Sequence, residues 1–121
     1  MKILYLEDDC SMQKCGPRLI WAALGDDVMV DVTDSVPKAI ALLQHFRYDA
    51  IISDFMVEWG TGVDLLKWVR EERPALVDKF VFFTGDKNDV KKEHGKIIEK
   101  AIRLDDFIEQ LRMHLAIDGA A

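Results

Sequence analysis

Glu7, Asp8 and Asp9 are consecutive acids that end a short apolar run at residues 3–6. A fourth acid, Asp54, ends a second run at 50–53. Thr84 ends a third at 80–83, and Lys100 follows Ile97 and Ile98. Acids this close repel: two carboxylates 4 Å apart interact by about 4 kcal/mol at an effective dielectric of 20. A hard divalent cation relieves that repulsion. An oxygen-only ligand set without Cys or His favours Mg²⁺ over Zn²⁺ and leaves positions for water and phosphate oxygens. Adding an ammonium group and a hydroxyl yields a set able to balance a transferred phosphoryl group. An aspartate can itself be the nucleophile, forming an aspartyl phosphate.

Such residues are useful only if the fold brings them together. The runs at 3–6, 28–32, 50–53 and 80–83 are short, apolar and β-compatible, with a weaker fifth at Ile97 and Ile98. They have the character of strands buried on both faces of a parallel sheet. Helical periods lie between them. Val36, Ala39, Ile40 and Leu43 form one stripe, with Asp34 and Ser35 as capping candidates and Pro37 in the first turn. Residues 63–73 form another helix, ended by Pro74. Leu104, Phe107, Ile108, Leu111 and Leu115 mark a C-terminal helix. Residues 11–24 have helical length, but Gly16 and Pro17 fall inside, so the regular helix either begins near Pro17 or bends there, and an irregular first turn is the favoured expectation. Alternating strands and helices imply βαβ units, and in such sheets ligands bind at the carboxyl ends of the strands. The acids, Thr84 and Lys100 all fall at those ends.

Composition bounds the remaining choices. The chain has 121 residues, 50% hydrophobic and 31% charged, which suits one domain (1–121) with a substantial core. A net charge of −6 argues against a dedicated nucleic-acid binder. Two cysteines, Cys10 and Cys15, are too few for a disulfide scaffold and lack partners at zinc-ligand spacing. We read both as structural. No run approaches the length of a membrane span, and acids interrupt the N-terminal apolar run where a signal peptide would continue. The expectation is a reduced, cytoplasmic, soluble protein that binds neither nucleic acid nor membrane.

In this order and placement the motifs resemble the receiver domain of two-component response regulators, over nearly the whole chain. The residues that carry the resemblance are Glu7, Asp8 and Asp9, Asp54, Gly62, Thr84 with Gly85, and Lys100. The resemblance implies an α/β, (βα)₅ flavodoxin-like three-layer sandwich with parallel strand order 2-1-3-4-5. It implies that Asp54 accepts phosphate from a histidine kinase or a histidine phosphotransfer protein. It also implies that Glu7, Asp8, Asp54 and the Met56 carbonyl hold Mg²⁺, while Thr84 and Lys100 contact the phosphoryl oxygens. Output would go through a downstream protein, since few residues remain after the final helix. A homodimer stays open.

The chain also departs from that pattern. Val57 stands where a Pro is usual, so the loop after Asp54 is expected to be less rigid. Ala101 stands where a Pro, usually cis, follows the lysine. Ile97 replaces the usual Tyr or Phe. Only fifteen residues separate Thr84 from Lys100, and within 86–95 only Val90 is apolar. A helix there has no stripe to bury, so the fourth helix is expected to be short, absent or mobile. The usual output face would then be curtailed, and readout would use the 86–95 loop, Trp59, or the first and last helices. One rival is a degenerate receiver serving as a phosphorylation-independent interaction module. The other is a small Mg²⁺-dependent phosphatase or phosphotransferase, for which 121 residues leave little room.

Overall fold

The computed structural model describes residues 1–57, 60–85, 95–100 and 102–115. Five strands form one parallel sheet: β1 (Lys2–Leu6), β2 (Met29–Thr33), β3 (Ala50–Ser53), β6 (Phe80–Thr84) and β7 (Lys96–Glu99), in the order β2-β1-β3-β6-β7. A separate antiparallel ribbon, β4 (Met56–Val57) with β5 (Gly60–Thr61), lies between β3 and the next helix. Numbered without that ribbon, the main sheet has the expected order 2-1-3-4-5. Four α-helices, α1 (Cys10–Leu24), α2 (Val36–His45), α3 (Gly62–Glu72) and α4 (Leu104–His114), and a 3₁₀ helix (Pro74–Lys79) complete the described chain.

The strands are apolar along their length because both faces are covered. On β1, Leu4 and Leu6 join a cluster with Leu43 of α2 and Leu65, Leu66 and Val69 of α3. Ile3 and Tyr5 point to the opposite cluster, with Ile20 and Ala23 of α1 and Phe107 and Leu111 of α4. The alternation is the two-residue period of a strand, and the result is a three-layer sandwich. Ser35 caps α2 by accepting the Lys38 N–H, and Thr61 caps α3 with a reciprocal capping box to Asp64.

Contrary to the sequence expectation, α1 is continuous from Cys10 and runs through Gly16 and Pro17, both buried. An interior proline costs about 3 kcal/mol. Two features offset it. Asp9 caps the helix through the N–H groups of Ser11 and Met12. Ile20 and Ala23 are also fully buried against the sheet. Gly16 sits where the helix passes over Tyr5: a Cβ there would lie 2.2 Å from the Tyr5 ring. The Gly-Pro pair marks the line of closest approach between helix and sheet.

The ribbon is a second departure. The segment after Asp54, expected to be looser without its proline, pairs Met56 with Thr61 and Val57 with Gly60. Val57 is buried in the cluster beneath α2 and α3. Cys10 and Cys15, read as structural, are exposed and unpaired on α1. Ile97 is half-buried and packs on the α2–α3 cluster. Within the 86–95 segment, where the fourth helix is expected to be short, absent or mobile, residues 86–94 lie outside the described residues, as do Trp59 and Ala101. Among the described residues no helix is long and apolar enough to cross a membrane.

The end of α4 carries a pH dependence. Lys79 and Lys96 donate to the carbonyls of Leu115 and His114 at its C-terminus. Burial, and then the Lys96 ammonium, hold His114 below its usual value of 6.5, although a hydrogen bond to the Ile97 backbone works the other way. The unfolded chain therefore takes up this proton first. His114 favours folding fully above pH about 6.5, and that contribution fades as pH falls. In thermal melts, Tm should decline from pH 7 to 5 less steeply in His114→Gln than in the wild type. Equal slopes would remove His114 as a contributor.

Candidate functional site

At the carboxyl end of the sheet, ladder-like hydrogen bonds run one residue past the strands and fix the residues that follow them. The Glu7 N–H donates to the Thr33 carbonyl at 2.9 Å, and the Asp54 N–H donates to the Leu6 carbonyl at 2.8 Å. The Lys100 N–H donates to the carbonyl of Thr84, the last residue of β6, also at 2.8 Å. Backbone register thus converts four separated positions into one cluster.

Within it, carboxylate oxygens of Glu7, Asp8 and Asp54 lie within 4.8 Å of one another. The Lys100 ammonium, donating to both, bridges Glu7 Oε2 at 2.6 Å and Asp54 Oδ2 at 2.9 Å. Asp54 Oδ1 accepts the Phe55 N–H at 2.8 Å. Glu7 is fully buried, Asp54 is half-buried and Asp8 is exposed, so the cluster opens to solvent on the Asp8 side. Thr84 is buried at the end of its strand. Among the described residues three carboxylates face one ammonium, which leaves excess negative charge at a solvent-facing oxygen-donor site. That donor set fits a hard divalent cation.

The register of the ribbon orients the Met56 backbone. The Gly62 N–H donates to the Phe55 carbonyl at 2.7 Å, a hydrogen-bonded pair of the same antiparallel ladder. Alternation then makes Met56 and Thr61 a non-hydrogen-bonded pair, whose backbone groups face outward. Consistent with this, the Thr61 N–H donates to Asp64 Oδ2 instead. The Met56 carbonyl is likewise directed away from β5.

Electrostatics follow from burial and contact. Burial raises the Glu7 carboxyl above its usual value, while hydrogen bonds from Lys100 and the Asp9 N–H oppose that rise without cancelling it. Burial alone would lower Lys100, but its hydrogen bonds to Glu7 and Asp54 raise it, so the lysine stays protonated. Burial, then the negative charges of Glu7 and Asp54, push the Tyr5 phenol well up.

The structure gathers Glu7, Asp8, Asp54 and Lys100, and sets Thr84 at the adjoining strand end. Asp9, third in the acidic run, instead caps α1. Sequence reasoning missed several supporting groups. The Ser53 hydroxyl donates to the Asp54 carbonyl at 2.7 Å, and Gln13 Nε2 donates to the Glu7 carbonyl at 2.8 Å. Tyr5 approaches Glu7 from below, its hydroxyl 3.5 Å from Oε2. Tyr5 was findable: it lies two residues before Glu7, whose backbone continues the β1 ladder, and so shares its face.

No protein-family model and no curated protein matches the chain. Solved structures do. A CheY-like response regulator receiver domain from Methylobacillus flagellatus is 25% identical, with TM-score 0.78, covering 94% of this chain and 98% of that one. Chemotaxis response regulator CheY4 of Vibrio cholerae is 22% identical, with TM-score 0.76 and coverage of 93% and 97%. The response regulator TrrA of Thermotoga maritima, solved with Mg²⁺ and BeF, is 14% identical, with TM-score 0.78 and coverage of 93% and 97%.

Proposed function

The chain has the fold of CheY-like response regulator receiver domains, and from that premise we propose that it is a phosphoacceptor receiver in a two-component phosphorelay. The observation that carries this reading is the position of Lys100, held between Glu7 and Asp54 beside the exposed Asp8. Among the described residues the carboxylates outnumber the ammonium, and the exposed Asp8 puts that excess negative charge within reach of a cation and a phosphoryl group.

In the proposed reaction a carboxylate oxygen of Asp54 attacks the phosphorus of a phosphohistidine on a histidine kinase or histidine phosphotransfer protein. The new O–P bond forms as the N–P bond breaks, and the imidazole leaves with the bonding electron pair. Lys100 turns from the carboxylates toward the phosphoryl oxygens and compensates their charge, and Thr84 offers its hydroxyl as a hydrogen-bond donor. A magnesium ion held by Glu7, Asp8, Asp54 and the Met56 carbonyl would supply further positive charge for those oxygens. The chain acts in this reading as a signalling domain, passing its state on by protein–protein interaction rather than by turning over a substrate.

The test is a Mg²⁺ titration followed by acetyl phosphate, read by intact mass. The wild type should bind the ion and gain one phosphate. Asp8→Ala should weaken Mg²⁺ binding at least tenfold, because a carboxylate on an exposed rim has no structural duty to mask the loss. An unchanged affinity would remove Asp8 from the site. Ion binding with no gain of phosphate would favour a phosphorylation-independent interaction module. Turnover of phosphate esters well beyond one equivalent would point to an enzyme.

A further inference from the structure

The phenol of Tyr5 takes no part in the chemistry above, yet it is built into the site. Its side chain is fully buried, and α1 presents a glycine to it: any side chain at Gly16 would collide with the ring. The hydroxyl faces Glu7 Oε2 at 3.5 Å. Three donors therefore surround the buried Glu7 carboxylate. The Asp9 N–H serves Oε1 at 3.0 Å, whereas Lys100 at 2.6 Å and Tyr5 at 3.5 Å both address Oε2. The lysine contact is short and charge-assisted; the phenol contact is long.

That inequality has a consequence once Lys100 moves. If the ammonium turns to a phosphoryl group on Asp54, Oε2 loses its main donor, and a magnesium ion held through the other Glu7 oxygen would not replace it. A buried carboxylate oxygen without a donor is costly. Tyr5 supplies the other donor already aimed at that oxygen. Its ring is held by Gly16 and the core, so the 3.5 Å contact closes by a small shift of the Glu7 carboxylate once Lys100 releases it. We propose that Tyr5 is a positioning residue, the reserve donor to Glu7, which takes over Oε2 when Lys100 transfers to the phosphoryl group. The inference rests on the reading of Asp54 as phosphoacceptor.

Tyr5→Phe removes the hydroxyl and keeps the ring. Two measurements test the role. The first is a melting cycle without divalent cation on wild type, Tyr5→Phe, Lys100→Met and the double variant. Tyr5→Phe alone should shift Tm by no more than about 2 °C, whereas in the Lys100→Met background it should lower Tm by about 6 °C. The second is phosphate uptake from acetyl phosphate at saturating Mg²⁺. Tyr5→Phe should slow uptake about tenfold while leaving Mg²⁺ affinity within about twofold, a split that a purely structural residue would not produce. Equal Tm losses in both backgrounds would overturn the proposal, as would an unchanged uptake rate. A large Tm loss from Tyr5→Phe alone would make the phenol a constant donor and also end the reserve role. A wild type that binds Mg²⁺ but takes no phosphate would instead sink the phosphoacceptor reading, with the melting cycle still deciding the coupling of Tyr5 to Lys100.

Discussion

Asp54→Asn should abolish the gain of one phosphate from acetyl phosphate while leaving the protein folded. The substitution keeps the shape of the side chain and an oxygen able to accept the Phe55 N–H, now 2.8 Å from Oδ1. It removes the carboxylate, and an amide cannot form the acyl phosphate. Lys100 loses its 2.9 Å partner at Asp54 Oδ2 but retains Glu7 at 2.6 Å. One of three crowded negative charges disappears as well, which offsets that loss. Tm should therefore stay within about 4 °C of the wild type, equivalent to about 1 kcal/mol. Intact mass and a thermal melt on the same sample read both halves. Phosphate retained by the Asn variant would place the acceptor elsewhere; a large drop in Tm would mean that Asp54 serves the fold first.

Gly62→Ala is expected to be among the most damaging single-methyl changes in the chain. Gly62 begins α3, and its N–H donates to the Phe55 carbonyl at 2.7 Å. A Cβ there would stand 2.4 Å from the Asp54 carbonyl oxygen, 2.7 Å from Ser53 Oγ and 2.8 Å from Phe82 Cε1. The nearest of these is backbone, and the others are buried side chains with no room to swing away. Relief requires α3 to lift from the end of β3, which would also stretch the Gly62 N–H bond to the Phe55 carbonyl. Overpacking of this kind costs about 1–3 kcal/mol, or a Tm lower by about 5–15 °C. Because the nearest strained atom is the carbonyl oxygen of Asp54 itself, phosphate uptake should fall too. Unchanged stability would show that the helix start adapts freely.

Much of the site was legible in the sequence because of how a parallel sheet is built. Strands buried on both faces read as apolar runs, so the first polar residue after each run marks a carboxyl end. Glu7, Asp54 and Lys100 follow their strands, and Thr84 closes β6. The fold follows for the same reason: apolar runs alternating with helical stripes have few ways to bury both patterns at once. The start of α2 and the bounds of α3 were legible to within a residue, since Ser35 and Pro74 act through neighbours close in sequence.

Features that depend on distant partners were not legible. Gly16 and Pro17 looked like a break in α1, because local propensity counts the cost of a proline but not the Tyr5 ring that needs the space. Val57 looked like a loosened loop, since nothing near it in sequence reveals its burial beneath α2 and α3 or the pairing of Met56 with Thr61. Exposure of Cys10 and Cys15 was likewise a matter of which side of α1 met the sheet. The sequence by itself determined which chemical groups stand at the ends of which strands, because that is set by short-range patterning. Only the tertiary structure decided that Lys100 bridges Glu7 and Asp54, and that Tyr5 reaches Glu7 from below. Those contacts depend on side-chain packing between segments up to 93 residues apart, which no local pattern encodes.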